Sequence, residues 1–124
     1  METQSISKKS NSVKGTATYP YSQTSMLVNS IQSTTVVSIQ SGLQVAVVTF
    51  TSPAGNLGSI TLSPVQPTAQ NVEFKAGLQS LKIDLISFRA QFGFDSGQVT
   101  ANGSATDQDG KNDTAFAKQI ATWS

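Results

Sequence analysis

The chain has 124 residues, enough for one domain with a single hydrophobic core, and its formal net charge is +1 at pH 7. It contains no cysteine and no histidine. This composition excludes disulfide frameworks, thiolate zinc sites and histidine-dependent catalysis, and it lacks the strong positive field typical of nucleic-acid-binding proteins. Ser, Thr and Gln together exceed a third of the residues, which favours strands with polar outer faces over helices.

The N-terminal segment, residues 1–12, is polar and shows no hydrophobic periodicity. We expect it to form an arm that precedes a single β domain over residues 13–124. The segment shows no apolar signal-peptide core, and nowhere do about 18 apolar residues follow one another, so no membrane span is expected. The sequence leaves the localisation open between a virion, an extracellular assembly and the cytoplasm.

The first clear structural signals are an extended segment at residues 16–21 and a tight hairpin after it. Pro20 keeps the preceding residue out of the helical region. Farther on, Ser41-Gly42 separates two β-branched runs by two residues, the spacing of a tight hairpin turn. Pairing outward from that turn predicts Val37 opposite Ala46 and Val36 opposite Val47.

In the middle of the chain, the sequence pattern predicts a loop, two short strands and one long irregular strand. Residues 52–59 are rich in Pro and Gly and predict a loop. In the long segment 78–94, Leu81, Ile83 and Leu85 share one parity, whereas Ile86 and Phe88 share the other. A period of two cannot change phase without an extra residue, so we expect a bulge or bend near Leu85 and Ile86. Such a bend would allow one strand to serve two sheets.

In the C-terminal part, the sequence pattern predicts a further hairpin and a last element that fits either a strand or a helix. Residues 95–97 form the expected hairpin loop, with Gly97 in the left-handed conformation. In residues 114–123, Phe116, Ile120 and Trp123 fit a helical stripe, but the same segment also fits a strand. We favour the strand because the rest of the chain has β character.

The elements together predict an all-β fold. Eight to ten short strands with turn signals every 8 to 12 residues, roughly, are typical of a single-domain antiparallel β-sandwich or a jelly-roll-like fold. A short C-terminal helix is the alternative to a last strand.

The sequence offers no catalytic signature, and we expect no enzyme activity. A pair of carboxylates could hydrolyse glycosides, and the candidates within strands are Glu73 and Asp84. Both alternate with apolar neighbours, so we interpret them as solvated outward residues with Lys75 and Lys82 as neighbours.

Three of the seven acidic residues, Asp107, Asp109 and Asp113, fall close together in a Gly-containing segment. They are the candidate metal ligands, and calcium is the only cofactor considered. An EF-hand alignment that places Gly110 at position 6 has Ala105 at position 1 and a phenylalanine at position 12, so half of the ligands are missing. The alternative is a hairpin tip whose charges keep it soluble.

The candidate contact residues are aromatic. Tyr19 and Tyr21 flank Pro20, and Trp123 lies near the end of the chain. They could insert into a neighbouring subunit or stack on sugar rings.

Three functional hypotheses follow from these observations. The first is a non-catalytic structural subunit that assembles with copies of itself, as in a virion, phage tail or surface filament. The second is a leaderless, lectin-like module that binds glycans through the aromatic residues and the acidic segment. The third is a carboxylate-based hydrolase. No nucleic-acid partner is expected.

Overall fold

The computed structural model of the protein describes residues 17–19, 30–91 and 96–123, and these residues form eight strands and no helix. The strands are β1 (Ala17–Tyr19), β2 (Gln32–Gln40), β3 (Leu43–Ser52), β4 (Gly55–Leu62), β5 (Thr68–Ala76), β6 (Gln79–Gln91), β7 (Ser96–Ala105) and β8 (Thr114–Trp123). The all-β prediction is confirmed. The predicted arm, residues 1–12, lies outside the described residues.

The strands form two antiparallel sheets of four strands, in the orders β1-β2-β3-β4 and β5-β6-β7-β8. The first sheet consists of three long strands and the three-residue β1. β4 packs against β5 and β6, and β2 packs against β8, so the sheets face each other as a sandwich. Each sheet is a sequential meander, and residues 63–67 connect the two sheets. This connectivity is simpler than that of a jelly roll, in which the chain alternates between sheets.

The hairpin between β2 and β3 has the predicted turn and register. Ser41 and Gly42 both have positive φ angles, 53° and 78°. This is the pattern of a type I′ turn, whose twist matches that of the two strands. Val37 lies opposite Ala46 and Val36 opposite Val47, as predicted.

Two predictions about loops are wrong. Residues 52–59 do not form a loop, because Pro53 and Ala54 alone make a tight turn and β4 begins at Gly55. The Ser52 hydroxyl closes this turn by accepting the Ala54 N–H at 3.1 Å. Gly97 is a strand residue opposite Ala90 rather than a turn residue, although the hairpin between β6 and β7 is present.

β6 contains the predicted change of phase. Ile83 lies opposite Gly103 and Leu85 opposite Asn102, so Asp84 is the extra residue of a β-bulge. Ile83 and Ile86 are both buried as a result, and Leu85 is 37% exposed. The bulge does not carry β6 into the other sheet, because β6 pairs with β5 and β7 along its whole length.

A second bulge explains why residues 114–123 resembled a helix. Val99 lies opposite Ala121 and Thr100 opposite Gln119, which makes Ile120 the extra residue of β8. Ile120 and Ala121 are therefore both buried. A strand with one bulge buries residues at mixed spacings, and these spacings imitate a helical stripe. The segment is a strand, and the helical alternative is wrong.

The hydrophobic core lies between the sheets and receives side chains from every long strand except β5, whose apolar residues pack at its margin. The largest side chains with less than 2% exposure are Phe50, Ile31, Leu62, Leu81, Ile83, Ile86 and Ile120.

Two glycines make room for aromatic rings in this core. A Cβ on Gly58 would lie 2.5 Å from the Phe74 ring, which crosses from the opposite sheet. A Cβ on Gly97 would collide with the indole of Trp123. An aromatic ring over a strand glycine covers the backbone that the glycine exposes.

Gly103 accommodates the bulge in β6, and replacing it should destabilise the protein. A Cβ there would collide with the carbonyl oxygen of Lys82, which belongs to the backbone and cannot rotate away. We expect Gly103→Ala to lower the free energy of unfolding by about 2 kcal/mol or more, measured by urea denaturation. Gly42→Ala is the matched control, because its Cβ would meet no atom within 4 Å. It should cost only about 1 kcal/mol of backbone strain. An equal loss in both variants would contradict the role given to Gly103.

Candidate interaction face

Asp107 organises the loop between β7 and β8. Its Oδ1 accepts the N–H groups of Lys111 at 2.8 Å and Asp109 at 3.0 Å, and its Oδ2 accepts an N–H of the Asn112 side chain at 3.2 Å. These bonds favour the charged carboxylate, and the Lys111 N–H is the largest cause of a lowered pKa of Asp107. The Asp107 carboxylate therefore holds the loop in a turn through three hydrogen bonds.

The start of the same loop is bonded to the start of β6. The Ser80 N–H donates to the Thr106 hydroxyl at 2.7 Å, and the Thr106 N–H donates to the Ser80 carbonyl at 3.0 Å. The fully buried Gln79 donates its side-chain N–H to the Thr106 carbonyl at 3.0 Å. These bonds fix the loop to the sheet on the side where β6 begins.

The predicted metal ligands Asp107, Asp109 and Asp113 all lie in this loop, but the structure does not gather them around one point. Among residues 30–91 and 96–123, no three acidic side chains form a group that could hold a metal ion. The Asp107 oxygens accept three N–H donors from their own loop, which hold the loop without a cation. The geometry is that of a turn closed by its own hydrogen bonds, which favours the alternative of a hairpin tip over that of a calcium loop.

The lowered pKa of Asp107 predicts a specific dependence of stability on pH. A carboxyl with a lowered pKa in the folded state stabilises the fold above its ordinary pKa of 3.8, and the contribution disappears as the pH falls through the folded-state value. We expect Asp107→Ala to melt below the wild type at neutral pH, and the difference to shrink below pH 3.8. Thermal melts between about pH 7 and about pH 2 would measure this. Asp113→Ala is the control, since it removes a carboxylate from the same loop. A difference for Asp107→Ala that stays constant over the whole range would contradict the assignment.

Calcium should leave the melting temperature unchanged relative to protein in chelator. A ligand that binds only the folded state raises the melting temperature, so the comparison reports binding directly. A calcium-dependent rise that Asp107→Ala abolishes would show instead that the loop closes around the ion.

Of the three candidate aromatic residues, the structure describes the side chain of Trp123 alone. Tyr19 ends β1 opposite Val37, but its side chain is not described, and Tyr21 lies outside the described residues. Trp123 is only 7% exposed, and its ring stacks on Phe88 with 6.0 Å between centroids. It is a core residue that also lines a cleft of about 230 Å³ together with Arg89 and Gln98.

Two of the proposed glycan contacts, Trp123 and the acidic loop, are not brought together. Trp123 and the Asp107–Asp113 loop lie at opposite ends of β8, and the ten residues of that strand separate them by about 30 Å. A single sugar ring could not contact both.

The hydrolase candidates Glu73 and Asp84 are exposed on the outer face of the second sheet. Glu73 lies directly opposite Lys82, and Asp84 is the bulge residue two positions farther along β6. An open sheet surface does not provide the enclosure that raises the pKa of a glycosidase acid. Their position matches the interpretation as solvated charges.

The outer face of the first sheet is the most unusual surface of the molecule, and our sequence predictions missed it. Its side chains lie in five rows: Gln32 with Thr51 and Asn56; Thr34 with Thr49 and Ser59; Val36 with Val47 and Thr61; Ser38 with Val45; and Gln40 with Leu43. We call this set the neutral face, because none of its members is charged. The sequence signal was available, since no charged residue occurs between Lys14 and Glu73.

The neutral face has an exposed part and a buried part. The row of Ser38 and Val45 is buried, at 2% and 5% exposure. The three rows before it contain exposed or half-buried side chains, and Thr49, on the middle strand, lies at their centre. The Thr49 and Ser59 hydroxyls are hydrogen-bonded at 2.8 Å, which links two strands of this surface. The exposed part is therefore a patch of Thr, Val, Ser and amide side chains, and a cleft of about 520 Å³ is lined by its Gln32 and Thr51.

The outer face of the second sheet has the opposite character. It carries Glu73 and Lys75 on β5 and Lys82 and Arg89 on β6, all exposed, and Asp84 projects at the bulge. The charges on the outer faces of the sandwich thus all lie on β5 and β6, whereas the outward positions of β7 and β8, like those of the first sheet, are uncharged.

The strands at the margins of the sheets are irregular. β4 contains the extra residue Leu57, β5 contains Asn71 with a φ of 59°, and β8 contains the bulge at Ile120. β8 also carries the exposed Lys118 among its inward-facing positions. Bulges and inward-pointing lysines are devices that stop a sheet edge from pairing with another chain. These three of the four edge strands are therefore poor templates for pairing with a strand of another molecule.

The described part of the chain is an antiparallel β-sandwich whose outer-face charges all lie on β5 and β6. A scan against protein-family models finds no match, and searches among curated proteins and solved structures find none either. No helix in the described ranges could cross a lipid bilayer.

Proposed function

We propose that the protein is a non-catalytic structural subunit that assembles with other copies of itself, as in a virion, a phage tail or a surface filament. The observation that carries the proposal is the outer face of the first sheet, which has no charged residue on any of its three long strands. All charged residues within the strands belong to β5, β6 and β8, and the first sheet has none.

The composition of the neutral face supports a protein contact. The centres of protein interfaces are depleted of charged residues, and their rims are polar and hydrogen-bonding. Val36 and Val47 are half-buried here, and the exposed Thr34, Ser59 and Thr61 surround them. A surface that only had to stay in solution would gain from the charges that the second sheet carries.

The size of the patch indicates how strong the contact would be. Three rows on three strands cover roughly 300 Å² per copy, from about 3.3 Å per residue and about 4.8 Å between strands. Stable pairwise interfaces bury at least about 1,200 Å² in total, so this face alone gives a weak contact. Weak contacts suit a subunit that is held by many neighbours, where repetition raises the overall affinity.

The lectin-like alternative has less support from the geometry. Trp123 is 7% exposed and stacked on Phe88, so it offers little ring surface to a sugar. The third hypothesis, a hydrolase, depends on Glu73 and Asp84, which lie on an open surface.

A charge placed on the neutral face should prevent assembly. We expect wild-type protein to associate reversibly as its concentration rises from about 10 μM to about 1 mM, the range suited to a contact this small. Thr49→Lys should remain monomeric over that range, because its ammonium group would lose water without gaining a partner. Light scattering coupled to size-exclusion chromatography, and sedimentation velocity, measure the mass.

Two further variants make this test specific. Ala117→Lys adds the same charge to an exposed position on the outer side of β8 and should associate like the wild type. Thr34→Lys charges an exposed position of the neutral face and repeats the test if Thr49→Lys does not fold. Wild-type protein that stays monomeric at every concentration would count against assembly. Equal association of all variants would exclude the neutral face as the contact.

A further inference from the structure

We infer that copies of this protein also associate end to end, with the loop between β7 and β8 of one copy against the opposite end of the second sheet of the next. The receiving group is Arg89, which lines two clefts, and the groups that it receives are Asp109 and Leu78. This inference rests on the proposed function and adds a second contact to that of the neutral face.

Arg89 is the charged group of the receiving end. It is exposed on β6, opposite Gln98. It lines a cleft of about 230 Å³ together with Trp123, and a cleft of about 320 Å³ together with Pro64 and Pro67. Within the described part of the chain its guanidinium forms no ion pair or hydrogen bond, and neither cleft has an acidic side chain in its described lining. Such a guanidinium suits a carboxylate, which it binds through two parallel hydrogen bonds.

The opposite end of the sheet presents a carboxylate on a rigid turn. Asp109 is exposed in the loop between β7 and β8, and its carboxylate accepts no hydrogen bond from the described residues. Three hydrogen bonds to Asp107 hold this loop, so binding it to a partner costs little conformational entropy. The loop carries three carboxylates and one cation, Lys111. Its net charge is therefore opposite to that of Arg89.

The two most exposed large apolar side chains of the described residues lie at these same two ends. Leu78 is 72% exposed beside the acidic loop, where a Cβ on Gly110 would lie 3.3 Å from the Leu78 Cβ. Val65 is 74% exposed in the connection between the sheets, next to the prolines that line the larger cleft. Apolar groups gain free energy when they leave water together. A contact between Leu78 and this connection removes both from water.

A single copy cannot make this contact with itself. Arg89 lies opposite Gln98, which lies opposite Thr122 near the end of β8, whereas the acidic loop leads into Thr114, where β8 begins. The ten residues of β8 separate the two ends by about 30 Å. A contact between two different surfaces leaves one free site at each end. The copies therefore continue as a filament or close into a ring.

The end contact is weak on its own. An exposed ion pair contributes little, and one leucine side chain adds only a small apolar area. Copies that are already joined through the neutral face meet the next such group through several end contacts at once, and this repetition makes the contact effective. Thr49→Lys is therefore still expected to stay monomeric, although both of its ends are intact.

An exchange of charges between the two ends tests the contact. Arg89→Glu should lower the weight-average mass of the protein about twofold or more at about 1 mM, because two carboxylates would meet. Asp109→Arg should do the same, because two guanidinium groups would meet. The double variant restores opposite charges and should regain the wild-type mass. Sedimentation velocity measures these masses, and undiminished association of Arg89→Glu or a double variant as small as the single ones would overturn the inference.

Two further variants make the charge exchange specific. Lys118→Glu changes the net charge by the same amount in the middle of β8, opposite Ala101, and should associate like the wild type. Leu78→Ser leaves every charge in place and should lower the mass, because it removes the apolar part of the contact. A loss of mass in Lys118→Glu equal to that in Arg89→Glu would assign the effect to net charge and overturn the contact.

A covalent trap gives an independent measurement. The chain has no cysteine, so Arg89→Cys and Asp109→Cys each introduce the only thiol. A disulfide requires Cβ atoms about 4 Å apart, and the end contact brings these two positions together but keeps identical positions apart. Under mild oxidation the two variants should link to each other more than either links to itself, as mass spectrometry would show. Linkage without this preference would overturn the contact.

These outcomes separate the inference from the proposed function. Wild-type association that Thr49→Lys abolishes and Arg89→Glu leaves unchanged would overturn the end contact and leave assembly through the neutral face in place. Wild-type protein that stays monomeric at every concentration, with no link between the two cysteine variants, would overturn both.

Discussion

Burial of one side of each strand in a single shared core is the constraint on which the rest of this structure depends. The chain has no disulfide and no helix in its described part, so the two sheets are held by the side chains between them. Phe50 packs against Phe74 of the opposite sheet, and Trp123 packs against Phe88. Because side chains alternate along a strand, fixing the inner side also fixes which residues face outward. The charge difference between the two outer faces is a consequence of that alternation.

The bulges show how the same constraint tolerates irregular sequence. In β6 the extra residue Asp84 lets both Ile83 and Ile86 point into the core. In β8 the extra residue Ile120 is buried next to Ala121. Gly103 makes the first bulge sterically possible. At the margins of the sheets such irregularity has a second effect, because a bulged edge strand pairs poorly with a strand of another molecule. Burial of the core and protection of the β4, β5 and β8 edges against strand pairing therefore come from the same kind of local feature.

The site could be predicted from sequence only in part. The acidic segment was recognisable as a candidate, but its chemistry depended on where the Asp107 oxygens point, and they point at the backbone of their own loop. Trp123 was recognisable as a large aromatic residue near the chain end, but its burial depended on Gly97 and Phe88, which are distant in sequence. The neutral face was encoded as a long uncharged stretch. The surface itself could not be predicted, because it forms only where strand pairing places the outward side chains of β2, β3 and β4 side by side.

The sequence by itself determined the all-β class, the Ser41-Gly42 hairpin with its register, and a bulge in β6, because these depend on local turn chemistry and on alternation within one segment. The tertiary structure decided the strand character of residues 114–123, the start of β4 at Gly55 and the position of Gly97 within β7. Each of these depends on a partner strand or an aromatic ring supplied from elsewhere in the chain. The same holds for the uncharged surface, which exists only because three separate strands turn the same side away from one core.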